Sequence, residues 1–243
     1  MSQPSPAAQR RKLLEATYQP REEWWSRVFA SPVAHWLLCL VADWKTITPN
    51  RLTVASFLLV LIVAALILTG SPAEIRLAAI LLQVAYIFDC MDGQLARYRK
   101  QTSDLGAFLD KSLDFLKIAF LVFALSMEAF HRSQSETPLI LGFLCFLLTC
   151  FLPYLKLLAK ADFDIGPREI LLGRNFWQRN IRFFLFEEAQ WYFTITICLL
   201  FLRADWALWI LCLGLGPQAL LEMVRIVGLL RNPGIDNSEN SHF

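Results

Sequence analysis

Charged residues are scarce in this chain. Asp, Glu, Lys and Arg make up 18% of its 243 residues, and 56% of the residues are hydrophobic. Soluble domains carry about a quarter of their residues as charged side chains. The composition therefore excludes an ordinary water-soluble domain and a disordered chain, and it indicates a protein whose main solvent is lipid.

Several sequence signals are also absent. The six cysteines show no C-x-x-C spacing, so neither a disulfide framework nor a zinc site is expected. Acids, and not an apolar core, follow Arg10, Arg11 and Lys12, which argues against a signal peptide. The net charge is only +2, so no nucleic-acid partner is expected.

Long apolar runs, in contrast, recur along the chain. A helix needs about 20 mainly apolar residues to cross a membrane, and six stretches fit this description. They predict an all-α integral membrane protein with six transmembrane helices, at about residues 52–69, 75–97, 105–130, 138–158, 189–202 and 206–230.

Two segments outside these spans combine aromatic and charged residues. The first predicts an N-terminal interfacial amphipathic helix that Pro32 interrupts. Its apolar residues recur at helical spacing and are Trp24, Trp25, Val28, Phe29, Trp36, Leu37 and Leu40. The second, residues 160–186, predicts a basic interfacial segment. The chain thus divides into an N-terminal cytoplasmic segment, 1–47, a six-helix membrane domain, 48–231, and a cytoplasmic tail, 232–243.

The basic residues predict the orientation in the membrane. Nearly all of the 23 Lys and Arg residues fall on one side of six alternating spans. By the positive-inside rule, both termini and the connections 97–104 and 159–186 are expected in the cytoplasm. We therefore expect an integral protein of the inner (cytoplasmic) membrane whose acid-bearing helix ends face the cytoplasm.

Four carboxylates lie in or beside the second and third predicted spans. Asp89 and Asp92 are three positions apart, and Asp110 and Asp114 are four apart, so each pair projects from one face of its helix. The two helices are joined by a short turn, which predicts antiparallel neighbours with converging faces. Acids inside a membrane need a shared counter-charge, and oxygen ligands favour Mg²⁺ or Mn²⁺.

Small residues lie between the two acid pairs. Gly93, Ala96 and Gly106 form a strip with almost no side chains, which a nucleotide or diphosphate can approach closely. Small residues also allow close helix packing in membranes, and taken alone these three favour that interpretation.

Together the residues read Asp89-x2-Asp92-Gly93-x2-Ala96-Arg97-x8-Gly106-x3-Asp110-x3-Asp114. This pattern resembles the signature of the CDP-alcohol phosphotransferase family, also called CDP-alcohol phosphatidyltransferases, at every fixed residue and every spacing. The start of the first span, Thr48-Pro49-Asn50-x-Leu52-Thr53, is similar to the one common in the family.

The resemblance implies a six-helix membrane enzyme that cleaves a CDP-alcohol, transfers the phospho-alcohol group to a hydroxyl acceptor and releases CMP. It also implies a two-metal centre held by Asp89, Asp92, Asp110 and Asp114, of which Asp114 is also the general base. The nucleotide-binding residues that it implies are Asp92, Gly93, Ala96, Arg97 and Gly106. Further candidates for contacts to the acceptor or to a phosphate are Asn50, Lys117 and Arg174. For Lys117 the alternative is that it offsets the charge of the acids.

The substrates stay open at this point. In the favoured arrangement, CDP-diacylglycerol is the donor and a polar alcohol is the acceptor. In the alternative, the polar head group is carried on CDP and a lipid supplies the hydroxyl group. Expected partners are the CDP-alcohol donor, an alcohol or sugar-phosphate acceptor, membrane lipids and, as one option, a second copy in a homodimer. A cation transporter is the second class, and it is disfavoured because its acids should lie near mid-membrane.

Overall fold

The protein is helical in the part described by a computed structural model, which covers residues 6–17, 23–165 and 186–231, and no strand occurs in these ranges. The all-α prediction is thereby confirmed. A π-helical turn, Ser26–Ala30, precedes the second α-helix. The α-helices are α1 (Pro6–Glu15), α2 (Ser31–Val41), α3 (Pro49–Leu68), α4 (Pro72–Tyr98), α5 (Asp104–Ser133), α6 (Thr137–Phe163), α7 (Glu188–Leu200) and α8 (Ala204–Arg231).

Each of the six predicted spans coincides with one of the helices α3 to α8. Three of these, α3, α6 and α8, are long and apolar enough to cross a membrane. Helices α4 and α5 have 27 and 30 residues but carry the acids, and α7 has only 13 residues. The positions of the helices are confirmed, whereas the count of six crossings stays a prediction.

The helices fall into two compact units. The first contains Met1–Gly142 and Glu187–Trp209, and the second contains Phe143–Phe186 and Ile210–Phe243. Within the first unit, α3 packs along both α4 and α5, and α4 also packs against α2 and α7. Helices α3 and α4 are therefore the central pair of this unit.

The buried faces of this central pair carry small or β-branched side chains, which let helices approach closely. Fully buried are Val60, Val63 and Ile67 on α3 and Ala78, Ala79 and Ala85 on α4. Ser56 of α3 donates a hydrogen bond to the carbonyl oxygen of Ala85 at 2.9 Å. Large apolar side chains such as Leu58 and Phe108 are exposed on the outside of the unit, as expected for helices that face lipid.

The short connection between α4 and α5 is a tight reversal. Lys100 has the left-handed conformation, with φ of 53°. Its N–H donates to the carbonyl of Arg97 at 3.2 Å, and that of Gln101 donates to Ala96 at 2.9 Å, which is the Schellman pattern. Ser103 then caps α5 by accepting from the Gly106 N–H at 3.1 Å. The start of α5 therefore follows the end of α4 directly, and both acid pairs lie near this connection.

A helical segment occupies the predicted N-terminal interfacial position, and Pro32 does not interrupt it. The Ser31 N–H donates to the carbonyl of Ser26, so the helix widens into a π-turn just before the proline. Pro32 then falls in the first turn of α2, where a missing N–H costs little. The predicted break was wrong for this reason. Val28 and Trp36 are exposed. Their location at a membrane interface stays a prediction.

The second unit contains most of α6 and α8, each with an internal proline, Pro153 and Pro217. Glu222 of α8 is buried and forms an ion pair with Lys156 of α6 at 3.3 Å. It also accepts a hydrogen bond from Gln218 at 3.1 Å. The ion pair links α6 to α8, and the hydrogen bond from Gln218 holds Glu222 in place within α8.

Replacing Lys100 by glycine is expected to raise the free energy of unfolding by about 0.5–1 kcal/mol, because the left-handed conformation strains any residue that has a Cβ. Thermal unfolding of the detergent-solubilised protein would show this as a higher midpoint. Lys100→Ala is the matched control, since it removes the same charge and keeps the Cβ. An equal rise in both variants would contradict the backbone explanation.

Candidate active site

Three carboxylates meet between the last turns of α4 and the first turns of α5. Asp89, Asp92 and Asp110 each place an oxygen within 4.8 Å of the other two. Asp92 is buried, and the other two are half-buried. Carboxylates this close repel one another strongly away from water, so a cation among them would stabilise the arrangement.

Thr53 on α3 holds the orientation of Asp92. Its hydroxyl donates to Asp92 Oδ2 at 2.6 Å and lies 3.2 Å from the carbonyl oxygen of Pro49. Both side chains are buried, so water does not compete for this hydrogen bond. Asp92 Oδ2 is thereby engaged, and Oδ1 is left for a ligand. The contact was not predicted from the sequence, where Thr53 appeared only at the start of the first span.

Asp114 belongs to a second group of carboxylates, which shares Asp89 with the first. Asp89, Asp114 and Glu188 each place an oxygen within 4.8 Å of the others. Glu188 is the first residue of α7, so a third acid-bearing helix reaches the site. From the sequence, Glu188 borders the fifth span, and an ion pair with Arg179 or Arg182 is favoured there over a contact to the acceptor. Its place among the acids of the site was not expected.

A buried lysine lies inside this second group. The Lys117 side chain is inaccessible to solvent and forms ion pairs with Asp89 Oδ1 at 2.5 Å and Asp114 Oδ1 at 2.6 Å. Its ammonium also donates to Ser56 Oγ at 3.4 Å. The sequence left two roles open for Lys117: attracting a substrate phosphate or offsetting acidic charge. The structure places its ammonium between carboxylates, in line with the second role, because Lys117 follows Asp114 by three positions on the same face of α5.

A cleft of about 230 Å³ opens beside the first group of acids. Its walls are the N-terminus of α3, the last turns of α4, the connection that follows and the N-terminus of α5. Among its lining residues are all five that were predicted to bind the nucleotide: Asp92, Gly93, Ala96, Arg97 and Gly106. Asn50 lines the cleft as well. Arg174 and most of the predicted basic segment 160–186 lie outside the described residues.

The two glycines lie where a side chain would meet functional groups. A Cβ on Gly106 would lie 3.2 Å from Ser103 Oγ and 3.4 Å from Asn50 Oδ1, so this glycine lets the starts of α3 and α5 approach each other. A Cβ on Gly93 would lie 3.1 Å from Arg97 Nη1. Gly93 therefore leaves room for the Arg97 guanidinium against α4.

Positive groups line the same cleft. Arg97 is one of them, and its Nε donates to the carbonyl oxygen of Thr17 at 2.9 Å. The N-termini of α3 and α5 add partial positive charge and backbone N–H groups, which favour anions such as phosphate. A cleft with acids and positive groups side by side suits a ligand that brings both a cation and phosphates.

Comparison with known proteins identifies the family. The family model described as CDP-alcohol phosphatidyltransferase matches residues 46–215, a stretch that contains both acid pairs. The chain belongs to this family. Its apolar helices α3, α6 and α8 are long enough to span a bilayer, and the protein is an integral membrane protein.

Curated relatives of this family member align over shorter segments. The chain is 46% identical over 70 residues to the bifunctional IPC transferase and DIPP synthase of Thermococcus kodakarensis. The aligned segment makes up 29% of this chain and 15% of that protein. It is 36% identical over 86 residues to the archaetidylinositol phosphate synthase of Pyrococcus horikoshii. The aligned segment makes up 35% of this chain and 44% of that relative. The chain thus aligns with less than half the length of these relatives.

Among solved structures, the phosphatidylinositol phosphate synthase of Mycobacterium tuberculosis shares the fold. Its complex with CDP-DAG matches with a TM-score of 0.56 and 16% identity, over 82% of this chain and 93% of that one. Its complex with manganese and citrate matches with a TM-score of 0.56 and 17% identity, over 82% and 89%. At this identity the likeness concerns the fold alone.

Thr53→Val is expected to weaken Mn²⁺ binding by about tenfold or more, because hydrogen bonds that orient a metal ligand are typically worth about 10- to 100-fold in affinity. Titration of the chelator-stripped protein with Mn²⁺ measures the effect. Thr53→Ser keeps the hydroxyl and is the matched control, with an affinity close to the native one. If Thr53→Val bound Mn²⁺ as tightly as Thr53→Ser, the hydrogen bond to Asp92 would have no orienting role.

Proposed function

We propose that the protein is a divalent-cation-dependent transferase of phospholipid biosynthesis. It would cleave CDP-diacylglycerol, transfer the phosphatidyl group to a hydroxyl acceptor and release CMP. One observation carries the proposal. Asp89, Asp92 and Asp110 converge, and the last two line a cleft together with Gly93, Ala96 and the N-terminus of α5.

The cation would be Mg²⁺ or Mn²⁺, held by Asp89, Asp92 and Asp110. Three carboxylate oxygens within 4.8 Å of one another fit a hard cation, and the adjoining cleft has room for water and phosphate to complete its shell. When bound, such an ion neutralises the charge of a diphosphate and makes its phosphorus easier to attack. The manganese complex of the Mycobacterium tuberculosis enzyme, which has the same fold, supports this choice of metal.

The donor diphosphate would lie along the strip formed by Gly93, Ala96 and Gly106. Without side chains there, the diphosphate can reach backbone groups and the N–H groups at the start of α5. Arg97 and Asn50 line the same cleft and can donate hydrogen bonds to phosphate oxygens or to the cytidine. CDP-diacylglycerol is the proposed donor because the Mycobacterium tuberculosis enzyme, which shares this fold, binds it.

Asp114 would act as the general base. As the acceptor oxygen bonds to the lipid-bearing phosphorus, its proton passes to the Asp114 carboxylate, and the bond between the two phosphates breaks to release CMP. The ion pair with Lys117 engages Asp114 Oδ1, so Oδ2 is the oxygen that would receive the proton. The proposed acceptor is a phosphorylated polyol, in line with the name of the Pyrococcus horikoshii relative, archaetidylinositol phosphate synthase.

The reaction would take place at the cytoplasmic face of the inner membrane. The distribution of Lys and Arg supports this orientation, with residues 1–47 and 232–243 in the cytoplasm on either side of the membrane domain 48–231. The acids lie near the end of α4 and the start of α5, where a water-soluble acceptor can reach them and a lipid donor can enter from the side.

We expect the purified protein to release CMP from CDP-diacylglycerol in the presence of Mg²⁺ or Mn²⁺ and an acceptor such as inositol phosphate or glycerol phosphate. Excess EDTA should abolish the release, because the clustered carboxylates then have no metal. Asp110→Asn should also lose activity. Asp104→Asn is the control, since this exposed acid on the same helix does not line the cleft.

Two results would contradict the proposal. Undiminished CMP release in EDTA would remove the role of the metal. CMP release only from CDP-choline or CDP-ethanolamine, with diacylglycerol as acceptor, would show that the polar group and not the lipid is carried on CDP.

For Asp114→Asn we expect near-native affinity for CDP-diacylglycerol, because the first group of acids is intact. Turnover should fall by at least about 100-fold, the usual cost of losing a general base. Donor binding and CMP release should be measured on the same preparation, with Asp104→Asn as the control. Near-native turnover would place the base elsewhere.

A further inference from the structure

We propose that the first helix, α1, is a positioning element for the donor-binding arginine. Through the backbone carbonyl of Thr17, the end of α1 holds the Arg97 guanidinium against Gly93 and thereby sets the affinity for the CDP-linked donor. This inference rests on the proposed function, which places the donor diphosphate along Gly93. It assigns a role to residues 6–17, which precede the part of the chain that the family model matches, residues 46–215.

The guanidinium of Arg97 is held by its Nε atom, which donates to the carbonyl oxygen of Thr17 at 2.9 Å. Its two terminal nitrogens lie against Gly93, since a Cβ added there would lie 3.1 Å from Nη1 and 3.7 Å from Nη2. Both Arg97 and Gly93 line the cleft. Two terminal nitrogens can meet a phosphate with two parallel hydrogen bonds. The bond to Thr17 therefore keeps a phosphate-binding edge at the strip proposed for the donor.

The backbone of Thr17 is itself fixed. Its N–H and its hydroxyl both donate to the carbonyl oxygen of Leu14, at 2.9 and 2.7 Å, directly after α1 ends. Thr17 and Leu14 are buried, so water does not compete for these hydrogen bonds. The carbonyl that accepts from Arg97 thus has a defined position relative to α1.

An ion pair anchors α1 to the chain after α2 and to the end of α4. Arg10 donates to the carbonyl oxygen of Cys39 at 2.7 Å and pairs with Asp43 at 2.6 Å. The other oxygen of Asp43 accepts from the Tyr98 hydroxyl at 3.2 Å. Tyr98 follows Arg97 directly, so this anchor and the hold on Arg97 act on neighbouring residues of α4.

The chain after α1 is anchored to the same unit as well. The Glu23 carboxylate accepts a hydrogen bond from the N–H of Ala189 in the first turn of α7. The Trp25 indole donates to Gln83 of α4 at 3.1 Å. Contacts on both sides of Thr17 therefore hold the N-terminal segment against helices that carry the site.

Holding the guanidinium in advance favours donor binding. An arginine that is not held loses side-chain freedom when it binds a phosphate, and ordering one such side chain costs about 2- to 12-fold in affinity. An arginine that is already held avoids most of this cost. The contact is made both to the bound donor and during the reaction, so losing the hold should raise KM and leave kcat unchanged.

The test compares Arg10→Met with Arg11→Met in the full-length protein in nanodiscs. Both variants remove one positive charge from α1, but Arg11 is exposed and pairs with Glu15 of the same helix. We expect Arg10→Met to raise KM for CDP-diacylglycerol by about 2- to 12-fold, with a native kcat. The affinity for CDP, measured by calorimetry with Mn²⁺ present, should fall by the same factor. Arg11→Met should keep native values of all three.

A double-mutant cycle with Arg97→Ala shows whether the anchor acts through Arg97. If it does, adding Arg10→Met to the Arg97→Ala chain causes no further loss of CDP affinity. Effects of the two substitutions that multiply would mean that Arg10 acts independently of Arg97, and they would overturn the inference.

Three other results would overturn the inference and leave the proposed function standing. They are a native KM in Arg10→Met, a fall in its kcat alone, and an equal rise in KM in Arg11→Met. Absence of CMP release by the native chain would overturn both. If Arg10→Met does not fold, Leu14→Val decides the question by the same criteria. Its control is Leu13→Val, at an exposed position of the same helix.

Discussion

Charge balance among closely spaced carboxylates is the constraint on which the rest of this structure depends. The acids of the first and second groups come from three helices, α4, α5 and α7, and they share Asp89. Repulsion between them is much stronger away from water than in it, and unless it is offset it would drive the helices apart. The described structure offsets part of it with the buried ammonium of Lys117 and with the hydrogen bond from Thr53 to Asp92. The remaining negative charge, at the cleft, is what makes the first group suited to a cation.

Packing and ligand access are served by the same residues. Gly106 lets the starts of α3 and α5 approach, and those two helix ends are also the parts of the cleft most suited to phosphate. Gly93 leaves room for the Arg97 guanidinium at the cleft wall. These glycines can therefore serve helix packing and nucleotide binding together, because the close approach of the helices shapes the cleft.

The N-terminal segment contributes to the site although it precedes the region that the family model matches, residues 46–215. The carbonyl of Thr17 accepts a hydrogen bond from Arg97, which lines the cleft. Arg99 donates to the carbonyls of Ala42, Trp44 and Ile47 and so joins the chain after α2 to the end of α4. A part of the chain outside the matched region thus bears directly on the motif.

The sequence by itself determined the helix positions, the two acid pairs and the side-chain-free strip, because these follow from hydrophobic run length, helical spacing and a short turn. Tertiary structure decided which acids lie within 4.8 Å of one another, that Thr53 orients Asp92, that Lys117 lies between Asp89 and Asp114, and that Glu188 reaches the site. These contacts depend on how each helix is rotated and how deep it lies against its neighbours. A helix that is apolar on nearly every side, as lipid allows, does not show in its sequence which face turns inward.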